Sequence, residues 1–118
     1  MKYKSVVTGI GEMALELFEE CGSLILFNDN APDELREIAV LHTSEKFNDA
    51  LSIGDELKFG NNQYTITAIG DEAMHTLKEM GHCTLKFTGR YSVELPGQIE
   101  LLGPKPVINI GDEIIFHS

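Results

Sequence analysis

The sequence predicts a mainly β fold: a closed, six-stranded, pseudo-twofold barrel with two helices, the remaining strands forming hairpins at its rim. Three observations lead there. Short β-branched or apolar segments bounded by glycine outnumber helical ones. Each half of the chain holds one amphipathic helix of ordinary length. The two halves also repeat one another, and short strands with a related pair of helices avoid long exposed edges by closing on themselves.

The repeat is read directly from the residues. Thr8-Gly9-Ile10-Gly11-Glu12 returns as Thr67-Ala68-Ile69-Gly70-Asp71, an offset of 59 that also sets Ala14 on Ala73, Glu20 on Glu79, Gly22 on Gly81 and Leu26 on Leu85. Glu34-Leu35 returns as Glu94-Leu95 at an offset of 60, and Ile53 to Phe59 returns as Ile110 to Phe116 at 57. Three blocks in one order divide a single domain, residues 1–118, into halves of about 1–60 and 61–118.

Within the first half, Lys4 to Ile10 is β-branched and stops at Gly11. Glu12 to Glu20 follows with Met13, Leu17, Phe18 and Cys21 on one helical face, and Gly22 ends it. Ser23 to Phe27 is a short strand, Pro32 to Arg36 a single helical turn with proline at its start, and a third strand runs to His42. A loop from Thr43 to Ser52 leads to a strand ending at Phe59. Gly60-Asn61-Asn62 then makes a hairpin turn, and the second half repeats strand, helix, strand, strand and strand.

Composition narrows the function. With 118 residues, 42% hydrophobic and 24% charged, the chain suits one globular domain. A net charge of -10 repels a phosphate backbone and an anionic membrane surface, which argues against nucleic-acid binding. No stretch approaches the roughly 20 apolar residues of a membrane span, so a cytoplasmic protein without membrane insertion is expected. Cys21 and Cys83 lack any zinc-ligand spacing and read as reduced, packed thiols.

A site is sought where the halves differ, because folding alone would accept the same residue twice. At an offset of 60, Leu41 falls on Leu101 but His42 falls on Leu102. The loop after His42 has ten residues, against seven, stiffened by Pro104 and Pro106, in the counterpart Gly103 to Asn109. His42 is therefore the candidate nucleophile, with Thr43, Ser44 and nearby N–H groups as anion donors; the plainer reading is a strand-end histidine with no task. His82 is a candidate supporting residue, His75 reads as a solvated helix position, and His117 as a fraying terminus. No histidine pair has metal-ligand spacing, so no metal is expected. Ser44 lies too close to His42 along the chain for a triad, and Cys83 alternates to the face opposite His82. Thr8-Gly9-Ile10-Gly11 lacks the third glycine of a dinucleotide loop and reads as a turn.

Val40-Leu41-His42, the Gly81-His82-x-Thr84-Leu85-x-Phe87 run, Gly103-Pro104-x-Pro106 and the closing Ile110-Gly111-Asp112-x-Ile114-x-Phe116 resemble the glucitol/sorbitol-specific IIA component of the bacterial phosphotransferase system. The resemblance covers nearly the whole chain. It implies a cytoplasmic phosphocarrier, without a cofactor, that takes a phosphoryl group from phosphorylated HPr and passes it to the IIB component of the sugar permease. It carries the active histidine onto His42; some members of the family have a second histidine two positions on, where this chain has Ser44. A neutral imidazole offers a nitrogen lone pair near neutral pH, and transfer between two such rings needs in-line approach, exclusion of water and donors for the phosphoryl oxygens. The alternative is a regulatory or small-ligand-binding barrel that never carries phosphate. For a carrier, His42 is expected on an exposed rim among carboxylates such as Glu45 and Asp49, facing a basic donor.

Overall fold

A computed structural model describes residues 1–118 as a closed barrel of eight strands. In chain order the elements are β1 (Tyr3–Ile10), α1 (Ala14–Cys21), β2 (Ser23–Asn28), α2 (Asp33–Arg36), β3 (Ala39–His42), β4 (Glu56–Phe59), β5 (Asn62–Ile69), α3 (Ala73–Met80), β6 (Cys83–Lys86), β7 (Gln98–Leu102) and β8 (Glu113–His117). Around the ring they stand in the order β1-β3-β2-β6-β7-β5-β4-β8. The barrel therefore has eight strands, not six, and the strands expected as rim hairpins are part of its wall. The reason is edge pairing: β1 needs β8 beside it and β5 needs β4, while β4 and β8 pair with each other to close the gap. The two expected helices are α1 and α3. The single turn expected after Pro32 is α2.

Parallel pairing joins β2 to β3 and β6 to β7, while every other neighbouring pair is antiparallel. Exchanging β1–β4 for β5–β8 leaves the ring order unchanged. The register also shifts at matching places, between Val7 and Gly9 in β1 and between Ile66 and Ala68 in β5. Gly11 and Gly70 follow those strands at close backbone approaches, where a Cβ would overlap the carbonyls of Arg36 and Glu37 in one case and of Pro96 in the other. Gly9 and Ile10 thus belong to β1, paired with β3, and Gly11 closes the strand at a tight backbone contact; the expected turn is a strand end.

Side chains fill the barrel. Leu24, Leu26, Val40, Ile66, Leu85, Ile99, Leu101, Ile114 and Phe116 alternate inward along their strands and share one core with Ala14 of α1 and with Ala73 and Leu77 of α3. Outside the wall, Phe27, Ala31, Ala39 and Leu41 form a smaller cluster against Leu35 of α2. Cys21 is an exposed free thiol and Cys83 a buried one.

Hydrogen-bond register changes one expected equivalence. Val7 stands opposite His42, and the matching Ile66 stands opposite Leu101. His42 therefore corresponds to Leu101, not Leu102; both His42 and Leu101 are fully buried, while Leu102 is 57% exposed. The offset remains 59 through β3 and β7 and becomes 57 at β4 and β8, so the difference in length falls in the connection after β3 and not in a strand.

The loop between β3 and β4 is tied down at its far end by Asp55. Its Oδ2 accepts from Lys2 Nζ and from the Ser52 N–H, each at 2.8 Å. Burial pushes the Asp55 carboxyl up, but these donors outweigh it and hold the group below its ordinary value. A depressed folded value means that the ionised pair stabilises the fold above the unfolded pKa of ~3.9 and loses that contribution as pH falls through the folded value. Asp55→Asn is expected to melt below the wild type near neutral pH, with the difference shrinking as thermal melts are taken to pH ~3. A difference that stays constant with pH would assign the effect to packing instead of charge.

Candidate functional site

His42 closes β3, and strand alternation turns its side chain to the same inward face as Val40. Val7 of β1 and Asn28 of β2 flank it in register. The ring is fully buried. This corrects the expectation of an exposed rim: the inward face at the end of β3 is covered by Tyr3 on one side and by the turn after α3 on the other.

Both ring nitrogens are engaged. Nε2 lies 2.7 Å from the Gly81 carbonyl oxygen, and because a carbonyl only accepts, Nε2 carries the hydrogen of this bond. Nδ1 lies 3.0 Å from the Thr43 carbonyl oxygen and 3.4 Å from the Tyr3 hydroxyl. A neutral ring with its hydrogen on Nε2 takes the Tyr3 O–H at Nδ1, whereas a ring with both hydrogens donates to both carbonyls. Tyr3 is itself buried, and burial raises its pKa, so its hydroxyl keeps the proton it donates. Its ring meets His42 edge-on at 6.3 Å and stacks on Phe47 of the following loop at 4.2 Å.

The loop leaves the site under backbone control. Thr43 N–H donates to Val6 O at 3.0 Å, Val6 N–H donates to Thr43 Oγ1 at 3.1 Å, and Asn48 N–H donates to Lys2 O at 2.9 Å. Thr43 Oγ1 thus accepts one bond and retains its own hydrogen, while Ser44 is exposed. Thr43 and Ser44 lie beside His42 as their sequence positions require.

His82 is oriented differently. Its Nδ1–H donates to the Leu26 carbonyl at 3.1 Å and its ring lies against Phe27 at 4.9 Å. From this segment, what meets His42 is the Gly81 carbonyl. His75 is exposed on α3, as expected. His117 does not fray but ends β8 opposite Glu56. Burial pushes the Cys83 thiol up to about 12, which leaves it unreactive near neutral pH.

Two residues of the site were missed in the sequence. Gly81 carried a signal, since it precedes His82, repeats the helix-ending Gly22 and opens the Gly81-to-Phe87 run, but nothing in the sequence pointed it at His42. Tyr3 carried none, because its approach to a residue 39 positions away depends on the pairing of β1 with β3.

Comparison with known proteins identifies the family and supports the fold. Residues 2–115 match the family described as PTS system glucitol/sorbitol-specific IIA component. The chain is 35% identical over 104 residues to the PTS system glucitol/sorbitol-specific EIIA component of Escherichia coli (strain K12), covering 88% of this chain and 84% of that one. The protein of the same description from Shigella flexneri matches to the same extent. The crystal structure of a PTS system IIA component from Enterococcus faecalis V583 superimposes with a TM-score of 0.88 at 32% identity, over 98% of this chain and 100% of that chain.

The hydroxyl of Tyr3 gives the site a direct test. Tyr3→Phe keeps the stack on Phe47 and removes the donor to Nδ1, so a loss of about 0.5–1.5 kcal/mol in urea unfolding is expected. The Nδ1 signal of His42 in an imidazole ¹⁵N spectrum should shift with it. An unmoved Nδ1 signal would mean that the 3.4 Å approach carries no hydrogen bond.

Proposed function

Because the chain belongs to the glucitol/sorbitol-specific IIA family of the phosphotransferase system and is therefore a phosphotransferase component, we propose that His42 is the residue that carries the phosphoryl group. The donor is the phosphohistidine of HPr and the acceptor the IIB component of a glucitol/sorbitol permease, both met in the cytoplasm. No helix of the chain is long and apolar enough to cross a membrane. Residues 1–118 form one IIA domain in which halves of about 1–60 and 61–118 use one plan twice, with a pseudo-twofold relation between them.

The observation that carries this reading is the asymmetry at one position of that plan. His42 and Leu101 are equivalent by register and equally buried, so packing alone is satisfied by leucine there. A neutral imidazole in that place, donating from Nε2 to the Gly81 carbonyl and accepting the Tyr3 hydroxyl at Nδ1, is a positioned nucleophile. A nitrogen of His42 bonds to phosphorus through its lone pair as the phosphorus–nitrogen bond to the donor breaks, and that electron pair returns to the donor ring. The donor leaves as neutral imidazole with a hydrogen on its other nitrogen; His42, phosphorylated on one nitrogen and protonated on the other, holds the positive charge. Thr43 Oγ1–H and Ser44 Oγ–H are the nearby donors for the phosphoryl oxygens. His82 supports from one step away by tying the Gly81 turn to Leu26.

Acceptance requires the buried ring to be uncovered. The segment suited to move is the loop from Thr43 to Ser52, which adds no strand or helix to the barrel and rests Phe47 on Tyr3. A small-ligand barrel is less well supported, since a core of 20 residues fills the interior.

Incubation with phosphorylated HPr and mapping of the product tests the assignment. Wild type should gain an acid-labile phosphoryl group on the peptide containing Val40-Leu41-His42-Thr43. His42→Gln should stay folded and gain none, while His82→Ala should still label at a rate lowered by ~10-fold or more, as for loss of a supporting group. Acid-stable label on Thr43 or Ser44, or full labelling of His42→Gln, would transfer the role to the hydroxyls or elsewhere.

A further inference from the structure

We infer that Gly81 is a positioning residue for His42: its missing side chain makes room for the imidazole, and its carbonyl holds the Nε2–H. This rests on His42 being the phosphoryl acceptor. Gly22 and Gly81 occupy matching places, each just beyond a helix, with φ of 69° and 63° and with backbone N–H bonds to Phe18 O and Leu77 O. The helix-ending task, a left-handed residue that glycine adopts without strain, is the same at both. Their surroundings are not. A Cβ on Gly22 would meet only Thr88 Cγ2 at 3.9 Å, an ordinary contact. On Gly81 it would stand 2.8 Å from His42 Cε1, 3.0 Å from His42 Nε2 and 3.0 Å from Asn28 Cβ.

None of these neighbours yields easily. Asn28 Cβ is fixed by the pairing of β2 with β3. The ring is bounded on its other side by the Thr43 carbonyl and Tyr3. The Gly81 turn is anchored by His82 N–H to Thr76 O at 3.1 Å, by Thr76 Oγ1–H to His82 O at 2.6 Å and by His82 Nδ1–H to Leu26 O. The two carbonyls also have different partners: Gly22 O accepts the Phe87 N–H, whereas Gly81 O accepts from His42. One half of the plan uses this turn to hold backbone, and the other uses it to hold the reactive ring. A bond at Nε2 sets both the tautomer and the plane of the imidazole, on which in-line approach depends.

Gly22→Ala and Gly81→Ala impose the same left-handed strain, so the first is the control for the second. Three measurements compare them: thermal melting, the imidazole ¹⁵N spectrum of His42, and the rate of phosphorylation by phosphorylated HPr. Gly22→Ala should keep the wild-type Nε2–H signature and a near-wild-type rate. Gly81→Ala should lose that signature and react ~10–100-fold more slowly, the scale expected when a reacting group is displaced by about an ångström. A Gly81→Ala protein that keeps either the signature or the rate of the Gly22→Ala control overturns the inference. If Gly81→Ala does not fold, the wild-type spectrum decides: Nε2 bearing a slowly exchanging hydrogen supports the hold, and Nε2 without one overturns it. A wild type that accepts no phosphoryl group would instead defeat the role given to His42, and the same spectrum would still test Gly81's grip on the ring.

Discussion

Closure of the ring through β1 is the constraint on which the other features depend. This strand pairs with β3 on one side and with β8, the last strand of the chain, on the other. Without it β3 and β8 would each present an unpaired edge, and the inward side chains of all eight strands would no longer enclose one core. The same strand brings Tyr3 and Val7 against His42. Stability and the geometry of the site therefore share one set of backbone hydrogen bonds.

Positions that match between the halves by strand register or at a helix end need not have the same surroundings. Leu101 and His42 are one such pair, and Gly22 and Gly81 another. At the first pair a side chain changes while burial stays the same. At the second the residue stays the same while its carbonyl changes partner, from the Phe87 N–H to an imidazole. The closed site shields the His42 ring from water, so the proposed phosphoryl transfer includes an uncovering of the ring.

Much of the fold was legible because it rests on short-range patterns. The β-branched run before Gly11, the helical face of Met13, Leu17 and Phe18, and the turn at Gly60-Asn61 each identify an element from neighbouring residues. The strand count was not legible in the same way. Whether β4 and β8 stand in the wall or outside it depends on which edges of β1 and β5 require partners, and that is a property of the closed ring. The expected equivalence of His42 with Leu102 failed for a related cause. Between two gapped loops a sequence comparison can slide a strand by one residue at no penalty, but hydrogen-bond register cannot, since such a slip turns every side chain to the other face.

Residue order alone determined the fold class, the family resemblance and the singling out of His42, because alternation, turn chemistry and the contrast between two similar halves are written along the chain. The burial of His42, the hydroxyl that Tyr3 brings to Nδ1, the turning of His82 toward Leu26 and the Gly81 carbonyl at Nε2 were decided by tertiary structure. Each depends on contacts between segments 39 or more residues apart. Such contacts exist only once β1, β2, β3 and β6 are assembled in register, and no local preference encodes the distance at which a glycine carbonyl will meet an imidazole.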